Sequence, residues 1–228
     1  MLRWSALAAW LLCASGATTP LAAQSRIDFS VGVERVVPVG TLGSYVGPGV
    51  GVGAAARVPL GRSAFAISVG VDYLDAGPTT DTRQWGGPTS PYSVTIATGT
   101  RVFALGAGPE ADVERGPLRV GIGAGAGVAH VTNTSAVSGL YDLDPFARAT
   151  AHSSVTWMLS AGADARVRVA GSRTPVRLEL SLRWLGMGPT GIVREDHLPV
   201  GQISGVYLYP TPTETRFLVA RAGGAIGR

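Results

Sequence analysis

Apolar and polar positions alternate with period two along most of this chain, and helical spacing is absent. In 27–33, Ile27, Phe29, Val31 and Val33 alternate with Asp28, Ser30 and Gly32. In 46–58, valines alternate with Gly47, Gly49, Gly51, Gly53 and Arg57. Phe65, Ile67, Val69, Val71 and Tyr73 alternate with Ser68, Gly70 and Asp72. The same pattern marks 103–113, 118–128, 155–169 and 176–184. In the less regular 215–221, Thr215, Phe217 and Val219 share a face with Arg221. These eight runs predict eight β-strands. Pro109 lies inside the fourth and removes one ladder donor, which predicts a bulge there.

The connections set the topology. Strands one and two join through 38–45. The links after strands two, four and six are short, around 61–63, 115–117 and 171–174. Those after strands three, five and seven are long, at 76–100, 132–153 and 188–213. Short turns alternating with long loops are the habit of outer-membrane barrels, with the short turns on the periplasmic side. The expected fold is all-β, an eight-stranded antiparallel up-and-down transmembrane β-barrel.

One face of each strand carries Gly, Ser, Asp, Glu and Arg; the other carries Val, Leu, Ile, Ala and aromatics. Eight strands leave an interior just wide enough for side chains. Strings of glycine suit that crowded space, so the polar face is placed inside and the apolar face in lipid. A closed barrel also pairs every backbone group, as hydrocarbon requires. In this register Phe29 and Phe65 fall near the inner interface. Tyr73, Phe103, Trp157, Trp184 and Phe217 fall near the outer one, together forming an aromatic girdle. Asp28, Arg57, Glu110, Asp112, Arg119, Asp164, Arg166, Arg177 and Glu179 point into the lumen toward its periplasmic half. Buried charges must be paired, so they are expected to form an ion-pair network that plugs the barrel.

Composition narrows this further. Of 228 residues, 46% are apolar, 15% are charged and 32 are glycine, the last about twice the usual share of roughly 7%. No stretch of the expected mature chain reaches the roughly 20 apolar residues of a membrane helix. The net charge is +4, and every basic residue is Arg. These arginines are scattered singly, with no basic helix or arm, which argues against nucleic acid. Arg3, the apolar stretch 4–14 and the small residues before Gln24 read as a signal peptide over 1–23, leaving 24–228 as the barrel domain. Cys13, the single cysteine, falls in that segment, so thiol chemistry is not expected in the mature chain.

From residues 27 to 224 the chain resembles the small bacterial outer-membrane β-barrel proteins, the group typified by the OmpA membrane domain and OmpX. The resemblance lies in architecture, without a motif that names a subfamily. It implies residence in the bacterial outer membrane, insertion by the barrel-assembly machinery, contact with outer-membrane lipid and lipopolysaccharide, and a monomer. One segment, His130-Val131-Thr132-Asn133, is similar to the His-x-Ser-Asn of lipid A deacylases of the PagL kind, where a lipid-facing His activates a Ser. Here Thr132 stands in the Ser position, and no outward carboxylate is evident to orient His130. His152-Ser153-Ser154 repeats the spacing with a parity that points into the lumen. The three histidines are too scattered for a metal site, and no metal or cofactor is expected. The sequence therefore predicts a non-enzymatic barrel with a structural or surface-interaction role. A lipid A-modifying enzyme and a narrow channel or hydrophobic-ligand carrier are the alternatives.

Overall fold

A computed structural model describes residues 27–61, 63–85, 92–139, 147–171, 174–193 and 210–227. The expected signal peptide lies outside them. The strands are β1 (Asp28–Pro38), β2 (Gly49–Pro59), β3 (Phe65–Trp85), β4 (Tyr92–Arg115), β5 (Leu118–Gly139), β6 (Ala147–Ala170), β7 (Val176–Val193) and β8 (Pro210–Ile226). Each pairs antiparallel with the next, and β8 returns to β1 to close the ring. Closure follows from the pattern: every strand presents one apolar and one polar face, and a ring leaves the spanning strands no free edge.

Three glycines with positive φ, Gly61, Gly116 and Gly171 at +67°, +60° and +81°, sit in the short turns. A residue with a Cβ is strained there, which explains glycine at each reversal. At the opposite end a short 3-10 segment, Gly40–Ser44, follows β1 and brings Leu42 into the interior.

The strands outrun the expected runs. β3 continues to Trp85 before β4 starts at Tyr92, and β5 continues to Gly139 before β6 starts at Ala147. β7 likewise reaches Val193 and β8 begins at Pro210. The described parts of the segments expected as long loops are thus strand; 86–91, 140–146 and 194–209 lie outside the described residues. Their threonines and valines, such as Thr79, Thr80, Thr95 and Thr134, favour extended backbone. The bulge expected at Pro109 is absent: pairs Ala107↔Ala126 and Glu110↔Gly123 keep one register. Proline costs only the pairing to β5 at Gly108 and Pro109, while Ile67 still faces Pro109 from β3. The register shifts elsewhere, between Ala76/Thr79, Asn133/Thr134, Arg168/Ala170 and Met187/Thr190.

The wall is turned inside out relative to a water-soluble barrel. Phe29 is 60% exposed and Leu180 is 64% exposed, and most large apolar outward side chains lie bare in the same way. Charged and glycine-rich faces meet inside.

Candidate functional site

The lumen holds the densest chemistry. At the end that carries the short turns the Arg57 guanidinium from β2 donates through Nε to Glu110 Oε1 of β4 at 2.9 Å and pairs with Asp112. Asp28 of β1 lies 3.8 Å from Arg57 and accepts from Arg119 of β5 at 2.8 Å. Arg166 of β6 donates to Glu179 of β7 at 3.0 Å and lies 3.1 Å from Asp164 and 3.4 Å from Glu110. Arg177 is buried nearby, 4.0 Å from Glu114 at the mouth. These nine residues come from six strands and adjoin one another through shared carboxylates.

Glycine makes the space. A Cβ on Gly121 would sit 2.6 Å from Asp164 Oδ1, and one on Gly53 would sit 2.6 Å from Glu34 Oε1. Real Cβ atoms do not come that close, so a larger residue at either position would push these carboxylates out of their present places.

A second charged cluster lies farther along the axis. Arg183 donates to Glu34 at 2.7 Å and to Asp72 at 2.9 Å. Arg221 donates to Ser30 Oγ at 3.3 Å and to the Gly53 carbonyl at 3.1 Å. These four stand outside the lumenal set expected from the sequence. Parity holds the signal for two of them: Asp72 shares a face with Ser68 and Gly70, and Arg183 with Arg177 and Glu179. Glu34 lies just past Val33, where the first alternating run ends. Between the clusters is a cavity of about 120 Å³ of mixed lining, with Asp72, Asp164, Arg166, Arg183 and Arg221 beside glycines and alanines. It is large enough for a few water molecules.

Above the second cluster the interior becomes apolar. Val36, Leu74, Val102, Val131, Leu185 and Phe217 form a buried collar, joined by Leu42 from the 3-10 segment. Phe217 corrects the girdle assignment: it is 0% exposed and lies inside the barrel. Its neighbours in parity, Thr215, Val219 and Arg221, are buried with it, while Leu218 and Ala220 face outward. The error came from equating apolar with outward, whereas the outer part of the lumen is itself apolar. Phe29, Phe65, Tyr73, Phe103, Trp157 and Trp184 do face outward. Beyond the collar Thr100 donates to Asn133 Oδ1 at 2.8 Å, and Asn133 donates to the Gly191 carbonyl at 2.6 Å.

On the outer wall His130 is exposed, with Nε2 2.9 Å from Ser153 Oγ across the β5–β6 pair. Ser153 thus faces outward, and Thr132 sits opposite it in the ladder. Among the described residues no carboxylate hydrogen-bonds His130, and no cluster of three metal-ligating side chains occurs.

No protein-family model matches the sequence, and neither does any curated protein. Solved structures do resemble the fold. Neisserial surface protein A is similar with a TM-score of 0.50 and 14% identity, over 88% of this chain and 96% of that one. A major outer membrane protein from Thermus thermophilus gives 0.46 and 13%, over 89% and 99%. Ail, the attachment invasion locus protein of Yersinia pestis, gives 0.44 and 11%, over 90% and 99%. At such identity the likeness is one of fold, and by fold the chain is a small eight-stranded β-barrel of the outer-membrane type.

Proposed function

We propose that this protein is a non-enzymatic barrel of the bacterial outer membrane, closed along its axis, with a structural or surface-interaction role. The observation that carries the reading is the inverted wall: apolar side chains bare outside, ion pairs and a packed collar inside. In this reading residues 1–23 are a cleaved signal peptide. The six outward aromatics anchor the barrel at the bilayer interfaces. The barrel-assembly machinery inserts it as a monomer among phospholipid and lipopolysaccharide. The nine periplasmic-side charges act as a plug, since an unpaired charge in a low-dielectric lumen is costly. Two measurements test this. The folded protein should migrate differently from the boiled protein on a detergent gel, and it should give no large steady conductance in a planar bilayer. Identical migration with and without boiling would refute the membrane barrel; reproducible conductance steps would make the lumen a path.

A second reading rests on the His130–Ser153 contact. A serine hydroxyl beside an imidazole on a lipid-facing wall is the start of a nucleophile–base pair for acyl-ester cleavage. The carboxylate that would orient the ring is missing among the described residues, which favours the non-enzymatic reading. A change in lipid A acyl chains upon expression, seen by mass spectrometry and lost in His130→Ala, would reverse that preference.

A further inference from the structure

The outward face of β1 reads Phe29, Val31, Val33, Arg35 and Val37. Arg35 is the odd member: a cation on the wall that faces lipid. Two other outward arginines are neutralised within the protein, Arg101 by Asp75 at 3.3 Å and Arg216 by Glu214. Arg35 has no hydrogen bond or ion pair among the described residues. Its ladder neighbours are Val50 on β2 and Ala220 on β8, with Leu182 of β7 next in the same row. The next outward row toward the outer end is Val37, Leu218 and Trp184. Arg35 therefore sits just inside the row that carries the Trp184 indole, at a depth where a charge without a counter-ion is unfavourable.

The surface beside it is hollow. Leu180 and Leu182 rise on one side and Val33 and Val50 on the other, while Ala220 and Ala222 between them barely leave the backbone. The depression is shallow and open, running on past Leu180 and Leu182 over Ala163 and Ala165 of β6, and Arg35 is the one charged outward side chain that lines it. An apolar trough ending at an unpaired guanidinium has the polarity of one lipid molecule: hydrocarbon below, anion at the top. Guanidinium forms bidentate hydrogen bonds to phosphate, a geometry that ammonium and amide groups lack.

We propose that this hollow binds one phosphate-bearing acyl lipid, with the phosphate on Arg35 and an acyl chain along Ala220 and Ala222. The inference rests on the lipid-facing reading of the wall and adds a fixed site to it.

Native mass spectrometry of the full barrel in detergent tests it with three probes: dipalmitoyl phosphatidic acid, dipalmitoylglycerol and inorganic phosphate. One phosphatidic acid should bind per barrel, about ten-fold more tightly than dipalmitoylglycerol, as expected for a bidentate charged contact. Arg35→Gln should erase that preference, and Ala222→Phe, which fills the trough, should weaken both lipids. Arg101→Gln should bind as the unmodified protein does. Heat-modifiable migration shows that each variant is folded. Unchanged phosphatidic acid binding by Arg35→Gln would overturn the site, as would equal binding of the two lipids. Binding of inorganic phosphate without a lipid preference would reduce it to a free-anion contact and overturn it too. Failure of the unmodified protein itself to show heat-modifiable migration would instead sink the lipid-facing wall beneath the proposal.

Discussion

The two halves of the lumen are built from the same eight strands and closed by opposite means. Toward the short turns, Arg57 and Arg166 each reach two or more carboxylates beside positions left bare by glycine. Toward the opposite end, Leu74, Leu185, Phe217 and their neighbours fill the ring by contact alone. The difference shows that a narrow barrel need not have a polar interior throughout to be closed. It needs an interior that is satisfied, by pairing where side chains are charged and by packing where they are not. The charged half should respond to changes of charge at constant size, and the collar to changes of size at constant polarity.

The sharpest way to break the contrast is at Arg166. Truncation to Ala strands Asp164 and takes the nearest cation from Glu179, while Glu110 keeps Arg57, and should cost about 3–5 kcal/mol. Urea unfolding in lipid vesicles, followed by tryptophan fluorescence, reads it. Arg166→Met should be no milder, because it also removes the counter-charge; a loss near zero would mean that the three carboxylates are not coupled. Next comes Phe217→Ala, expected to cost about 3 kcal/mol through the cavity it leaves in the collar. That loss should be the same at low and high salt, and a strong salt dependence would show that the collar is not a separate layer. Leu185→Met keeps volume and polarity and should cost under about 1.5 kcal/mol, which marks the collar as tolerant of shape but not of loss. Smallest of all, His130→Ala and Ser153→Ala lie outside both halves. They should shift stability by no more than about 0.5 kcal/mol and leave lipid A unaltered by mass spectrometry.

Much of this is legible from alternation. The parity of 65–73 and 176–184 places Phe65, Tyr73, Leu178 and Leu182 outward and Glu179 inward, as the structure does. Period two says which residues share a face, but it does not say which face is inside. For β8 the polarity of Arg221 and the apolarity of Phe217 give contradictory answers, and Arg221 is the better guide because a charge costs more to misplace than an aromatic ring. The collar is invisible for the same reason, since Val36, Val102 and Val131 carry no mark distinguishing lumen from lipid. Strand ends are obscured by Gly and Pro, as at 77–78, where the backbone shifts register and the strand goes on. The His130–Ser153 contact depends on a diagonal reach between strands, which no count of residues along the chain displays.

The unequal strand lengths have a dynamic consequence. β1 and β2 have 11 residues each, enough for one crossing, whereas β3 to β6 have 21 to 24. Past Asp75 the ladder from β2 dwindles to the Val46↔Pro78 bridge, and past Met158 the ladder between β6 and β7 gives out. The upper parts of β3 to β6 therefore leave the ring as a four-stranded sheet, with β3 beyond Pro78 and β6 before Met158 bonded on one side only among the described residues. Amide hydrogen exchange should divide the same strand in two. Amides of β3 and β6 in that upper sheet should exchange within the time that those of β4 and β5 beside them stay protected, and all four strands should be slowest inside the ring.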